Sequence, residues 1–211
     1  MSDSFIFGKK VLSSEQCKSI IDFYNSSIIH QHPGYSGVDC LVNEHIKMST
    51  DLNCELDPDL QEYEDSDIID TIRDGIFKTV SEYVWNRYPF LDQYVNSWRV
   101  DSSFNIQCYY PGQGYYGLHC ENGSKNNDRF LAWMIYLNDA DCGTIFYEQE
   151  KVIDAKPGRL VIWPAAWTHC HSGVMPNTSD KYLATGWYSY EDRGNLHHSQ
   201  LPLNDLYFST R

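Results

Sequence analysis

Two pairs of side chains in the sequence could together bind a metal ion. His119 and Glu121 lie two residues apart, just before a long apolar run, and His169 and His171 repeat this spacing further along the chain. On a β-strand, side chains at i and i+2 point to the same face, so each pair would project together. One histidine of the second pair would complete a set of two imidazoles and one carboxylate. Such a set binds one side of a metal and leaves the other positions open for substrate and oxygen.

The same residue types are compatible with more than one metal. Two histidines and a carboxylate are the ligands of non-haem Fe(II) oxygenases, whereas zinc accepts histidine, carboxylate and cysteine. Cys120 and Cys170 lie within the two pairs and would alternate to the opposite face of a regular strand. Iron is therefore the first interpretation and zinc the second.

A group that could bind an anion follows the second pair. Lys181 lies ten residues after His171, and Thr185 would share its face on the same strand. A lysine that faces the interior of a β-barrel is unfavourable unless it meets an anion. Its ammonium and the Thr185 hydroxyl could bind one end of a small dicarboxylate whose other end chelates the metal, and the Tyr136 phenol could assist. The alternative is an exposed lysine at a strand end.

Hydrophobic periodicity predicts helices first and strands afterwards. Residues 12–28 predict a helix with Ser13 or Ser14 as its N-cap, and residues 65–88 predict a second helix. From about residue 95, short β-rich runs follow one another, separated by Gly, Pro, Asn and Asp. The pattern predicts a mainly β protein with N-terminal helices and a jelly-roll core.

We expect one overall domain in three parts, because 211 residues is a usual length for a single domain. Residues 1–94 would form a helical and mixed support region, residues 95–190 the β core and residues 191–211 a C-terminal tail.

Five segments of the chain resemble a known family. They read YYPGQGYYGLHCE, RFLAWMIYLND, CGTIF, KPGRLVIWP and HSGVMPNTSDKYLATGW. In order and spacing they resemble the 2-oxoglutarate- and Fe(II)-dependent dioxygenases of the prolyl 4-hydroxylase type, over roughly residues 98–190. The resemblance implies a double-stranded β-helix core of the cupin-like kind, preceded by helices.

The resemblance also implies which residues bind the iron. These are His119, Glu121 and His171, because the family places its basic residue about ten positions after the distal histidine. His169 would then lie behind the ligands or face the substrate. Glu121 departs from the family, which usually has the shorter Asp here, and CGTIF replaces the more usual Gly-Gly-Glu-Thr turn.

For the cosubstrate, the resemblance implies Lys181 as the partner of the distal carboxylate of 2-oxoglutarate, assisted by Thr185 and Tyr136. Tyr110, which opens the YPGQG segment, resembles the family's tyrosine near the mouth of the active site. Trp187 would pack beneath the site.

The activity implied by the resemblance is hydroxylation of an unactivated C–H bond with Fe(II), 2-oxoglutarate and O2, with ascorbate as a reductant. A prolyl residue of a peptide or protein is the first expectation for the substrate. A free amino acid or another small molecule is the alternative. Two other classes stay open from the residues alone, namely a jelly-roll that binds metal without turnover and a zinc-dependent cupin-like protein.

The composition narrows the range of partners. A net charge of −13 disfavours nucleic acid as a binding partner, and no apolar run is long enough to cross a membrane. Seven cysteines without a CxxC pair, behind an N-terminus that lacks a secretion signal, predict reduced thiols and a cytoplasmic location. The acidic segment at residues 54–67 predicts a solvated loop or a negative rim that attracts a basic peptide.

Overall fold

A computed structural model describes residues 4–36, 41–56, 66–91, 95, 97–123 and 126–191. Residues 57–65 of the acidic segment, and the predicted tail apart from residue 191, lie outside the described residues. No helix within these ranges is long and apolar enough to cross a membrane.

Both predicted helices are present. The first, α1, spans Ser14–Ser26 and begins at Ser13, whose hydroxyl accepts a hydrogen bond from the Gln16 amide while the Gln16 side chain accepts one from the Ser13 amide. This reciprocal capping box satisfies two amides that would otherwise be unpaired at the first turn. The second helix, α2, spans Ser66–Ser81 and continues as a π-helical segment over Glu82–Arg87.

In the described part of the chain, eleven antiparallel strands form two sheets. Three precede the predicted β core, a contribution that the hydrophobic pattern did not indicate: β1 (Phe7–Lys10), β2 (His32–Pro33) and β3 (Thr50–Glu55). The others are β4 (Trp98–Val100), β5 (Ser103–Tyr109), β6 (Arg129–Tyr136), β7 (Gly143–Phe146), β8 (Lys151–Asp154), β9 (Arg159–Pro164), β10 (His171–Gly173) and β11 (Lys181–Tyr190).

The larger sheet has the order β1-β9-β6-β11-β5-β3-β2, with β4 also paired to β11, and the smaller sheet has the order β10-β7-β8. The smaller sheet covers one face of the larger sheet, and the helices cover the other. Side chains that alternate along β6 contact the helices on one face of the sheet and the smaller sheet on the other. Trp133 and Ile135 pack with the helices, whereas Met134 and Tyr136 pack in the core between the sheets. The mainly β jelly-roll architecture is thus confirmed.

Two predicted strand segments differ in the structure. Around His119 the chain forms no named strand, and a single antiparallel bridge joins His119 to His171. Residues Trp167–His169 form a 3-10 turn, and β10 begins only at His171. His169 and His171 therefore do not share the face of one strand, because the turn breaks the alternation on which that prediction depended.

Candidate active site

A cavity of about 530 Å³ opens between the two sheets. Its walls come from the inner faces of β3, β5, β6 and β11 and from β7 and β10 of the smaller sheet. Strands supply a rigid frame, so side chains that alternate inward from different strands converge on this space. The cavity contains the predicted residues His119, Glu121, His171, Lys181, Thr185 and Trp187.

The two histidines are held by backbone hydrogen bonds. The amide of each donates to the carbonyl of the other, over 3.1 Å from His119 and 2.8 Å from His171. The Nδ1 of His119 lies 2.8 Å from the carbonyl oxygen of Gly117, and the Nδ1 of His171 lies 2.9 Å from that of His169. A carbonyl only accepts hydrogen bonds, so each Nδ1 carries the proton and each Nε2 presents a lone pair.

Glu121 completes a compact set of donor atoms. Its Oε1 lies 3.3 Å from His171 Nε2 and 3.8 Å from His119 Nε2, and one ligand atom from each residue lies within 4.8 Å of the others. The Glu121 amide donates to the Ala165 carbonyl, which fixes the backbone at this position. Three lone-pair donors at this spacing would repel one another, and a cation between them removes that repulsion. The donor set therefore fits a divalent metal.

The second oxygen of Glu121 has its own partners. The Trp187 indole N–H donates to Oε2 over 2.7 Å, and Nη1 of Arg129 lies 3.6 Å from the same oxygen. The Arg129 guanidinium also stacks on the Trp187 ring, with its carbon 3.6 Å from the ring centroid. These contacts hold Oε2 and leave Oε1 facing the histidines, which places the longer glutamate side chain in a defined position.

The environment sets the charge of these groups. Burial would raise the pKa of Glu121, but His171, His119 and Arg129 outweigh it and hold that pKa well below its usual range. Burial lowers the pKa of His119 to about 4, although Glu121 acts in the opposite direction. A neutral imidazole beside an ionised carboxylate is the protonation state that metal ligation requires.

Lys181 lies on another wall of the same cavity. Its side chain is only 2% exposed, and Nζ contacts the Val174 carbonyl at 3.3 Å and the face of the Tyr109 ring at 4.6 Å. Within the described ranges, no carboxylate pairs with it. Burial lowers the pKa of Lys181, which expresses the cost of an ammonium without an anion.

The groups predicted to assist Lys181 are engaged with the protein. The Thr185 hydroxyl lines the cavity and donates to the Trp133 carbonyl over 2.9 Å. Tyr136 is not among the residues that line this cavity, and its role toward 2-oxoglutarate stays a prediction. Its hydroxyl lies 2.7 Å from that of Thr144, and Thr144 forms the wall instead. Trp163 also lines the cavity, and its buried indole N–H has no hydrogen-bond partner among the residues described.

Tyr110 and His169 both lie outside the wall of the cavity. Tyr110 is 44% exposed and lies outside the cavity, whereas Tyr109 is 3% exposed and forms the wall beside Lys181, because Tyr109 is the inward-facing residue at the end of β5. His169 does not line the cavity either. Its Nε2 bonds to the Ser4 carbonyl at 3.0 Å, so it anchors the N-terminal segment, while its own carbonyl orients His171.

Sequence reasoning missed Arg129 and a buried polar cluster. Arg129 reaches the cavity because β11 has a register irregularity between Tyr188 and Ser189, opposite the start of β6. Such a bulge turns a side chain to the other face, and simple alternation does not predict it. The cluster joins Lys47, Asp51, Ser49, Gln107 and Tyr109 by hydrogen bonds of 2.6–3.1 Å.

Comparison with known families relates this fold and site to one class of enzyme. Residues 104–189 match the model of the 2OG-Fe(II) oxygenase superfamily, so this region is similar to the 2-oxoglutarate- and Fe(II)-dependent oxygenases. A PKHD-type hydroxylase from Synechococcus sp. (strain CC9605) is 31% identical over 80 residues, which are 34% of this chain. The aligned part is 35% of that protein, so the match spans about a third of the length of this curated relative.

Solved structures show the same fold over most of the chain. A prolyl-4-hydroxylase from Pseudomonas putida has a TM-score of 0.63 at 15% identity, covering 89% of this chain and 94% of that one. A prolyl hydroxylase from Trichoplax adhaerens, solved with a peptide of a hypoxia inducible factor, has a TM-score of 0.66 at 16% identity and coverages of 88% and 83%. The fold is therefore that of these prolyl hydroxylases. The superfamily whose model residues 104–189 match implies Fe(II), 2-oxoglutarate and O2.

Proposed function

We propose that the chain is a dioxygenase in which His119, Glu121 and His171 hold Fe(II). The observation that carries this proposal is the convergence of two bare Nε2 atoms and one carboxylate oxygen, with both Nδ1 atoms bonded to backbone carbonyls. When bound, Fe(II) would use O2 and 2-oxoglutarate to hydroxylate a C–H bond, with release of succinate and CO2. The protein residues supply binding, orientation and a shielded pocket.

Lys181 would bind the distal carboxylate of 2-oxoglutarate. Its Nζ lies 3.4 Å from the place of a β-carbon on Gly173, and Gly173 is two residues along β10 from His171. Two residues of a strand span about 7 Å and bring both groups to one face. A five-carbon dicarboxylate matches that spacing, so one end would meet the ammonium while the other reaches the metal ligands. The face of the Tyr109 ring would stabilise the Lys181 ammonium by a cation–π contact.

We further propose that the substrate is a prolyl residue of a peptide or protein. Uncharged polar side chains line the cavity at Asn53, Ser103 and Asn105, on the adjacent strands β3 and β5. Amide and hydroxyl groups of this kind suit the hydrogen-bonding groups of a peptide backbone. The prolyl hydroxylase from Trichoplax adhaerens, with its bound peptide, offers a structural precedent. A net charge of −13 favours a basic target.

The experiment that tests this proposal measures the succinate formed from 2-oxoglutarate by the purified chain. The assay contains Fe(II), ascorbate and a library of proline-containing peptides of varied charge. We expect succinate to increase with a subset of basic peptides, in step with a gain of one oxygen atom in the peptide. Glu121→Ala should lose both products, and matched peptides with alanine in place of proline should not stimulate turnover.

Other results would overturn specific parts of the proposal. Succinate with free amino acids but not with peptides would replace the substrate class and keep the oxygenase. Metal binding without any succinate would favour a binding module. Activity restored by zinc rather than iron would contradict the oxygenase itself.

A further inference from the structure

Two thiols lie beside the proposed metal ligands. Cys120 stands between His119 and Glu121, and Cys170 stands between His169 and His171. The bridge between His119 and His171 is antiparallel, and these two residues exchange both backbone hydrogen bonds. Extended by one residue, this bridge would place Cys120 opposite Cys170 as a non-hydrogen-bonded pair.

A non-hydrogen-bonded pair is close enough for a disulfide. Its Cα atoms are typically about 4.5 Å apart, which lies within the range of about 4.4–6.8 Å that disulfides span. Burial, together with the neighbouring Cys170 thiol, raises the pKa of Cys120. Cys120 donates to the Asn122 carbonyl over 3.1 Å and Cys170 to the Trp167 carbonyl over 3.0 Å, and both contacts are weak thiol hydrogen bonds.

These two thiols are also the accessible ones in the described part of the chain. Both are partly exposed, whereas the other described cysteines are buried: Cys17, Cys54, Cys108 and Cys142. A small oxidant or a reducing thiol can therefore reach this pair before the others.

We propose that Cys120 and Cys170 form a reversible disulfide that links the two segments bearing the metal ligands. Hydrogen peroxide is the oxidant. One thiolate attacks the O–O bond, which releases water and leaves a sulfenic acid, and the second thiol then displaces water from that sulfur as the S–S bond forms. The two sulfurs lose two electrons in total, and one peroxide becomes two waters. A dithiol reverses the step by exchange.

The disulfide would weaken metal binding, a consequence that rests on the proposed function. Cys170 lies between the His169 carbonyl and the His171 ring that this carbonyl orients. To form an S–S bond of about 2.0 Å, the Cys170 thiol must leave the Trp167 carbonyl and turn toward Cys120, which would disturb the turn that carries the His169 carbonyl. Loss of an orienting hydrogen bond on a metal-bound histidine typically costs about 10–100-fold in metal affinity.

The first test maps the disulfide without any metal. The full-length chain, in a chelator, is treated with hydrogen peroxide, alkylated and digested with trypsin. We expect a linked pair of peptides, residues 100–125 and 160–181, that disappears with a dithiol and in Cys120→Ser and Cys170→Ser. Cys40→Ser, a control outside the described residues, should keep the link. Failure to find this link in the wild type, or a link through Cys108, would overturn the proposal.

The second test measures Co(II) binding by absorbance after peroxide and chelator are removed. The oxidised wild type should bind Co(II) at least about tenfold more weakly than the reduced protein, and a dithiol should restore the affinity. The Cys120→Ser/Cys170→Ser double variant should bind equally before and after peroxide. Equal Co(II) affinity of the oxidised and the reduced wild type would overturn the proposal that the disulfide weakens metal binding. No Co(II) binding by reduced wild type would instead contradict the proposed metal site.

Discussion

Two buried lysines line the same cavity in opposite electrostatic situations. Lys47 is 4% exposed and forms an ion pair with Asp51 over 2.6 Å, and Asp51 also accepts from Ser49 and Gln107. Lys181 is just as buried, but the described residues offer it only the Val174 carbonyl and an aromatic face. A buried charge is tolerated when a partner compensates for the lost hydration.

This electrostatic difference indicates a separate role for each lysine. The protein itself satisfies Lys47, so that side chain stabilises the fold at the cavity wall. The described residues around Lys181 include no anion, so we propose the distal carboxylate of 2-oxoglutarate as the partner that compensates its charge. The two residues should therefore respond differently to the same substitution.

The largest effect is expected for Lys47→Met. Removing this ammonium leaves the Asp51 carboxylate buried and unpaired, which costs about 3–5 kcal/mol of the free energy of unfolding. Urea denaturation measures this loss. The double variant Lys47→Met/Asp51→Leu should recover most of it, since neither charge then remains. A single variant as stable as wild type would remove the contrast between the lysines.

The next effect is expected for Lys181→Met, on binding rather than on folding. Loss of one partner of a buried charge pair costs about 2–5 kcal/mol, so the Kd for 2-oxoglutarate should rise at least about thirtyfold. Calorimetric titration in the presence of Co(II) measures it, and the Co(II) affinity itself should stay unchanged. An equal loss of metal and 2-oxoglutarate binding would refute the assignment.

Without 2-oxoglutarate, Lys181→Met should stabilise the protein by about 1 kcal/mol, because it removes a buried ammonium that lacks an anion. For a chain of this length the Tm should rise by about 2–4 °C, as measured by thermal denaturation. This sign is opposite to that for Lys47→Met. A lower Tm would show that the protein already compensates the charge of Lys181.

A smaller effect is expected at the metal end of the cavity. Trp187→Phe keeps the ring on which Arg129 stacks but removes the N–H that holds Glu121 Oε2. The affinity for Co(II) should fall about tenfold. Trp85→Phe, at a partly exposed tryptophan of the π-helical segment, is the matched control and should leave Co(II) binding as in wild type. Equal behaviour of both variants would exclude a positioning role for Trp187.

The smallest effect separates the two adjacent tyrosines. Tyr109→Phe removes a buried hydrogen bond to Gln107 and should cost about 1 kcal/mol of stability. Tyr110→Phe, on the exposed neighbour, should stay within about 0.5 kcal/mol of wild type. Urea denaturation of both variants measures the difference. The reverse order would contradict the assignment of Tyr109 as the buried, hydrogen-bonded tyrosine of this pair.

Most of the fold could be predicted from hydrophobic periodicity. The capped helix α1, the longer α2 and the strand β11 all lie where the pattern indicates them. The strands β1–β3 could not be predicted. The strands β1 and β2 are short edge segments, β3 lies between β2 and β5, and β1 and β3 are stabilised by pairing with strands that are distant in sequence.

The candidate site was predictable by residue type and only partly by geometry. His119, Glu121 and His171 do converge, but through one isolated bridge rather than through a regular strand. The prediction that His169 and His171 share one face of a strand was wrong, because His169 lies in a 3-10 turn. Arg129 depends on a bulge, and the Lys47–Asp51 pair lies in a segment without hydrophobic periodicity, so neither leaves a local signal.

The central claim is that His171, rather than His169, holds the iron with His119 and Glu121. The most direct measurement is anaerobic addition of Fe(II) and 2-oxoglutarate, recording the visible charge-transfer absorption of their chelate. We expect the band in wild type and in His169→Ala, and its loss in His171→Ala. A band that survives in His171→Ala and disappears in His169→Ala would contradict the account, and so would its absence from the wild type.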